Sequence, residues 1–192
     1  MNTYQELHAE VFRILETQLP PHLTYHSPDH TARVIEKATG IARHEQVHGH
    51  DLELIRVAAL FHDIGFIQSQ HHHEEISCEI CTGYLKQHSF SSEDIQAVCG
   101  MILATKIPQQ PKTLLEKIVA DADLEYLGTA DFHPISQRLY KEFRYYDPQL
   151  TLQHFNEVQV HFIRKHHYHT NYCKTHREAQ KQAHLEELLQ TL

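Results

Sequence analysis

Three features of this 192-residue sequence predict an all-α fold. Apolar residues recur at helical spacing almost throughout. Proline, glycine and small polar residues punctuate those stretches where helices start and stop. No alternating apolar pattern is long enough to make a strand. Composition agrees, with 41% hydrophobic and 22% charged residues. A core can be built from this, so general disorder is excluded. The length fits one domain spanning residues 1–192.

The elements follow in order. Tyr4, Leu7, Val11, Ile14 and Leu15 mark a first helix from Thr3 to Gln18, stopped by Pro20 and Pro21. Ser27 then reads as an N-cap, Pro28 as the first helical residue and Asp29 as a dipole partner. Val34, Ile35, Ala38, Ile41 and Ala42 form the buried face of that second helix. Asp51 caps a third. From Leu52 to Phe61 it is apolar nearly all round, which places it at the centre. It ends at His62-Asp63-Ile64-Gly65, where Gly65 is expected in the left-handed C-terminal conformation. A fourth helix runs from about His72 to Lys86. A fifth starts at a Ser92-Glu93 cap and carries Ile95, Val98, Met101 and Ile102. After a loop at Ile107-Pro111, Thr113 caps a helix through Leu115, Ile118, Val119, Ala122 and Tyr126 that Gly128 closes. Two or three further helices fill Asp131 to Leu192, with a turn at Asp147-Pro148. The sum is a compact bundle of eight or nine helices.

Charge narrows the function. A net charge of −8 argues against non-specific nucleic-acid binding, which needs a positive field. A small anionic ligand in a local pocket stays compatible. No apolar run approaches the ~20 residues of a membrane span. The N-terminal stretch MNTYQELHAEVFRILE carries charges where a secretory signal needs apolar residues, so a cytoplasmic protein is the expectation. Cys78 and Cys81 form a CxxC pair, but Cys99 and Cys173 are single. A structural zinc site usually shows two such pairs, so these cysteines read as small buried hydrophobes, kept reduced.

Histidine is the unusual residue, with 20 in the chain. Among them His62, followed by Asp63, closes the most buried helix. Two ionisable neighbours there are costly to bury unless they are paired or bind a metal. His30 lies in the first turn of the second helix. Asp121-Ala122-Asp123 puts carboxylates in an otherwise apolar helix. At helical spacing Asp123 falls about 85° and Asp121 about 115° from the centre of the apolar face. Asp123 is the better inward candidate. Asp121 is expected in solvent or behind the ligands.

The order His30, His62-Asp63, Asp123 on a helical chain resembles the HD-domain superfamily of metal-dependent phosphohydrolases. The spacing is similar too. Tyr-His-x-x-x-His opens a helix, Ala-Ala-Leu-Phe-His-Asp-Ile-Gly follows, then His-Glu-x-x-Ser, then Asp-Ala-Asp. The resemblance covers a motif-bearing core of about 22–130, with the helices of 131–192 packed on it. It implies a phosphodiesterase-like bundle in which His30, His62, Asp63 and Asp123 bind one divalent ion. Manganese, zinc, iron, cobalt, nickel or magnesium would serve. The implied reaction is attack of an activated water on a small phosphate ester, such as a nucleotide or cyclic nucleotide. It also implies His26 as proton donor to the leaving group, as in the cyclic-nucleotide phosphodiesterases. His73 is offered to a second metal, and Glu74, with Asp63, to activation of the water. Lys106 stands where two-metal members carry a histidine. A lysine there favours one metal and holds a phosphate as a point charge. It also counts against an iron oxygenase of the same superfamily. A non-catalytic module that binds metal or nucleotide is the alternative. Partners are then a small phosphorylated substrate, with no nucleic acid and no membrane, in a monomer or homodimer.

Overall fold

The computed structural model describes residues 3–192. Among these there are ten α-helices and no strand. They are α1 (Thr3–Gln18), α2 (Pro28–His44), α3 (Gly49–Phe61), α4 (His73–Gln87), α5 (Ser92–Leu103), α6 (Leu114–Leu124), α7 (Phe132–Tyr146), α8 (Leu152–Lys165), α9 (Asn171–His176) and α10 (Glu178–Gln190). Two short 3-10 turns, Ile64–Ile67 and Glu125–Gly128, follow α3 and α6. No helix is long and apolar enough to cross a membrane among the described residues.

The central helix is α3, as its sequence predicts. Seven of its residues are buried, Leu54, Ile55 and Val57 through Phe61. It packs against α1, α2, α4, α5 and α6. Ala58 and Ala59 on α3 and Ala38 on α2 are fully buried, and such small side chains let neighbouring helices approach closely. A second apolar cluster joins Tyr25, Tyr126 and Leu127 to Phe132, Ile135, Val160, Ile163 and Leu188. This cluster seats α7, α8 and α10 beside the 3-10 turn that follows α6.

Several boundaries differ from the sequence reading. The chain beyond 131 makes four helices, because Thr170 caps a short α9 and Arg177 alone separates it from α10. The third helix starts at Gly49, so Asp51 sits in its first turn and complements the dipole instead of capping. Ser91, one residue earlier than expected, caps α5 by accepting from the Asp94 amide. Ser27 makes no side-chain cap bond; the fixed φ and missing N–H of Pro28 are what suit that helix start. Thr113 caps α6 as predicted, in a reciprocal capping box with Glu116. That helix ends at Leu124 and tightens into the 3-10 turn before Gly128.

Gly65 is a correction of mechanism. It is not left-handed. An ideal Cβ there would lie 2.1 Å from the His73 carbonyl oxygen, so only glycine lets the chain after Asp63 press against the start of α4. The Gly65 amide also donates to Ser77 Oγ at 2.8 Å. The positive φ falls instead on His72, at 58°, immediately before α4.

The C-terminal helices are locked by buried polar contacts. Lys181 is fully buried and donates to the His166 carbonyl at 2.8 Å, with Glu178 at 3.0 Å. Burial and the neighbouring Lys181 cation push the His166 imidazole down from 6.5 to about 3. His166 is therefore neutral in the folded state and takes a proton on unfolding in mild acid. Its contribution is complete above pH 6.5 and lost as pH falls from there toward about 3. From about pH 7 to about pH 5 the wild type should lose up to about 2 kcal/mol more than a His166→Phe variant. Urea unfolding of both proteins at the two pH values measures this, and equal losses would refute it.

Candidate metal centre

Three helices bring the predicted cluster together. His30 is the third residue of α2, His62 and Asp63 follow the last residue of α3, and Asp123 is the penultimate residue of α6. Packing of α2 against both α3 and α6 fixes their separation. His30 Nε2 lies 3.1 Å from His62 Nε2, 3.1 Å from Asp63 Oδ2 and 3.2 Å from Asp123 Oδ1. His62 Nε2 lies 3.2 Å from Asp63 Oδ2 and 3.8 Å from Asp123 Oδ1. His62 is fully buried and Asp63 nearly so.

The hydrogen bonds behind these groups decide which atoms face the centre. His62 Nδ1 donates to the Ala59 carbonyl at 2.9 Å, which leaves Nε2 on the cluster side. His73 Nδ1 donates to the Gln70 carbonyl at 3.2 Å. Its Nε2 then faces Asp63 Oδ1 at 3.6 Å and Glu74 Oε1 at 3.4 Å. His30 differs. Arg33 Nη2 is 2.7 Å from its Nδ1, and a guanidinium can only donate, so the His30 proton sits on Nε2. For His30 Nε2 to bind a cation, the proton moves to Nδ1 and Arg33 turns away.

The donor set fits a divalent ion. The ligand atoms of His30, His62 and Asp123 all lie within 4.8 Å of one another. Asp63 Oδ2 is buried with no hydrogen-bond partner despite two imidazole nitrogens beside it. Two imidazoles and two carboxylates are a donor set that zinc, manganese, iron, cobalt and nickel accept. Without a cation, proton sharing balances the charge. Burial alone would lower His62, yet the Asp63 carboxylate overcomes it and lifts the imidazole to about 9. Burial would raise Asp63 and Asp123, but the histidines beside them hold both below the usual carboxylate range.

Around this cluster the structure places the other predicted residues. A cavity of about 230 Å³ reaches it and is lined by His26, Asp63, His73, Glu74 and Asp123, among others. Lys106 is not on that lining, although Thr105 and Ile107 are. It pairs with the half-exposed Glu75 at the surface, a contact that draws it away from the cluster. Asp121 is neither solvated nor among the cluster residues. It is buried, and it accepts from the His169 and Thr170 amides at 2.8 Å each and from Thr170 Oγ1 at 2.6 Å. The wheel separates the two aspartates by too little to foresee this anchor, which depends on a segment 48 residues away.

Two residues enter that sequence reasoning missed. Glu142 of α7 accepts from His26 Nδ1 at 2.5 Å and from the Tyr25 and His26 amides at 2.8 and 3.1 Å. It is buried, and nothing local marks it, because its partner lies 116 residues away. Phe66 stands between two histidine rings, 4.1 Å from His26 and 4.2 Å from His73 by centroid. Burial would lower His26, but the Glu142 hydrogen bond and the nearby carboxylates outweigh it and raise the imidazole above its ordinary value.

The family model of the HD domain matches residues 29–125, just over half of the chain. The chain belongs to the HD-domain family. Its fold is similar to a crystal structure described as a predicted HD superfamily hydrolase from an uncultured Thermotogales bacterium. That likeness has a TM-score of 0.56 at 24% identity and covers 82% of this chain and 89% of the other. Comparison with curated proteins finds no match. The HD match ends at Asp123-Leu124-Glu125, so Glu142 and the helices α7 to α10 lie outside it.

The two aspartates of α6 should separate in a paired test. Asp121→Ala strands three buried donors and should cost about 2–4 kcal/mol in urea unfolding while metal content stays at the wild-type level. Asp123→Ala should lose metal, read by elemental analysis, with a smaller change in metal-free stability. Metal loss in the Asp121 variant alone would reverse the assignment.

Proposed function

We propose that this HD-domain protein hydrolyses a small phosphate ester with one divalent ion held by His30, His62, Asp63 and Asp123. The observation that carries this reading is the cavity on which Asp63 and Asp123 meet a histidine braced by a buried carboxylate. When bound, the ion would lower the pKa of a coordinated water and polarise a phosphoryl oxygen.

The chain's own groups supply the rest. Glu142 takes the His26 Nδ1 proton as a hydrogen bond, so Nε2 is the nitrogen left to the cavity. The Glu142 hydrogen bond and the nearby carboxylates favour the protonated His26 imidazole, the form a donor to a leaving oxygen needs. Phe66 fixes the ring plane by stacking. Glu74 lines the same cavity beside His73 and is placed to orient water. Glu142 acts through His26, as a positioning residue. No serine or cysteine nucleophile is required, since the water is the attacking group. Lys106 in its present pairing contributes no charge to the cavity lining. The phosphoryl group would therefore be held by the ion and the histidines.

The test is phosphate release from a panel of monoesters and diesters, with stripped protein reloaded with manganese, cobalt, nickel or magnesium. Asp63→Ala should lose metal and release together. His26→Ala should keep the metal and lower kcat by about 10²–10⁴-fold. Glu142→Gln should keep the metal and shift the alkaline limb of the kcat profile toward lower pH, because the proton donor must be protonated and the raised His26 pKa depends on that carboxylate. Release by a metal-free Asp63→Ala protein would contradict the reading. Bound metal with no release from any ester would favour the non-catalytic module.

A further inference from the structure

The cavity has two chemistries. One end carries His26, Asp63, His73, Glu74 and Asp123. The facing wall is apolar and comes from α7 and α8, through Leu139, Phe143, Phe155, Val158 and Phe162. Apolar side chains left in water are normally scattered singly over a surface. Here Ile107, Phe143 and Val158 are 52%, 39% and 42% exposed, and all three line this cavity, Ile107 and Val158 being shared with a neighbouring cavity that Lys165 and His167 also line.

What is missing from the lining is equally specific. No lysine or arginine is on it. Three carboxylates are, and one divalent ion would offset only part of their charge. A di- or triphosphate brings more negative charge than the ion and the two histidines of this lining would pair, and burying the excess is costly. Beyond the Tyr25 and Tyr126 side chains, the lining has little to read a polar organic group. The Gln159 carboxamide is committed, its oxygen to Ser136 Oγ and its nitrogen to Asn156 Oδ1. Thr105 Oγ1 donates to the Ile102 carbonyl at 2.8 Å.

We propose that the ligand of this cavity is a monoester carrying a single phosphoryl group on an uncharged, apolar organic part, aromatic or branched aliphatic. The phosphoryl end meets the His/Asp cluster and the organic part packs on the α7–α8 wall. This rests on the hydrolase reading for the identity of the phosphoryl end, and it narrows the substrates away from nucleoside polyphosphates. The wall is built by residues outside the stretch that matches the HD-domain model, so it is a property of this chain's C-terminal helices.

Phosphonates test the wall without turnover, because their carbon–phosphorus bond does not hydrolyse. Calorimetric titration of the manganese-loaded protein would compare methyl-, benzyl- and naphthylmethylphosphonate with phosphonopropionate, whose organic part is charged. Affinity should rise at least about tenfold from methyl to benzyl and rise again to naphthylmethyl, a size of gain expected when an aryl group leaves water. Phosphonopropionate should bind no tighter than methylphosphonate. Val158→Asn, a neutral polar change at a 42% exposed position, should reduce the benzyl-over-methyl affinity ratio, which is the quantity compared. Equal affinity across the series with methylphosphonate bound would overturn the proposal and leave the hydrolase reading standing. A retained aryl gain with no phosphate release from any ester would do the reverse. No binding of any phosphonate to the loaded protein would overturn both.

Discussion

The structure depends on how two carboxylates are held at the carboxyl ends of two apolar helices. Asp63 follows the last turn of α3, and Asp123 sits in the last turn of α6. Helix carboxyl ends carry partial negative charge, so each aspartate is in the least favourable place for its own sign. Asp63 is also nearly buried, where an uncompensated carboxylate costs several kcal/mol. His30 and His62 meet that cost within the described residues, each within 3.2 Å of Asp63 Oδ2. A divalent cation would meet it more fully. Positive charge is what the two helix ends, the two carboxylates and the orphaned Asp63 oxygen all favour.

Many of the packing choices nearby serve this arrangement. Small residues on α2 and α3 let helices approach until His30 and His62 touch. Gly65 removes the side chain that would block the return of α4, and Ser77 ties the turn down through its hydroxyl. That return delivers His73 and Glu74 to the cavity. Phe66, three residues after Asp63, packs against both the His26 and His73 rings. The result is a site whose side chains are held by backbone carbonyls, stacking and helix packing, and such support is what metal-ligating histidines require.

How much of this was readable follows from sequence distance. The helices from α1 to α6 have strong periodicity, so their existence was plain and their ends were off by up to three residues. The central place of α3 followed from its all-round apolarity. His62, Asp63 and Asp123 were legible because each is an ionisable residue in a locally apolar setting, and the family resemblance joined His30 to them. Asp121 was misread because a wheel reports direction on one helix and cannot report that the 169–170 backbone arrives to bind it. The Lys106–Glu75 pair was out of reach for the same reason, since Glu75 comes from α4, 31 residues earlier. Glu142 looks like a surface residue in a helix with acidic and basic neighbours, and only the tertiary fold brings it under His26.

The division between what was legible and what was not follows a division in the molecule. The His/Asp cluster lies wholly within the part that matches the HD-domain model, while α7 and α8 lie outside it and form the apolar wall. These parts are not independent. Leu139, Glu142 and Phe143 are within one turn of α7. The first and last face the cavity, and Glu142 grips His26 and the backbone of Tyr25. A ligand that packs on Leu139 and Phe143 therefore packs on the helix that orients the proposed proton donor. A ligand that leaves the wall unfilled gains only the phosphoryl contacts and leaves α7 unsupported from that side. On the proposed reading, selection of the organic part and placement of the proton would be joined in one helix, which would let the wall discriminate in turnover as well as in binding.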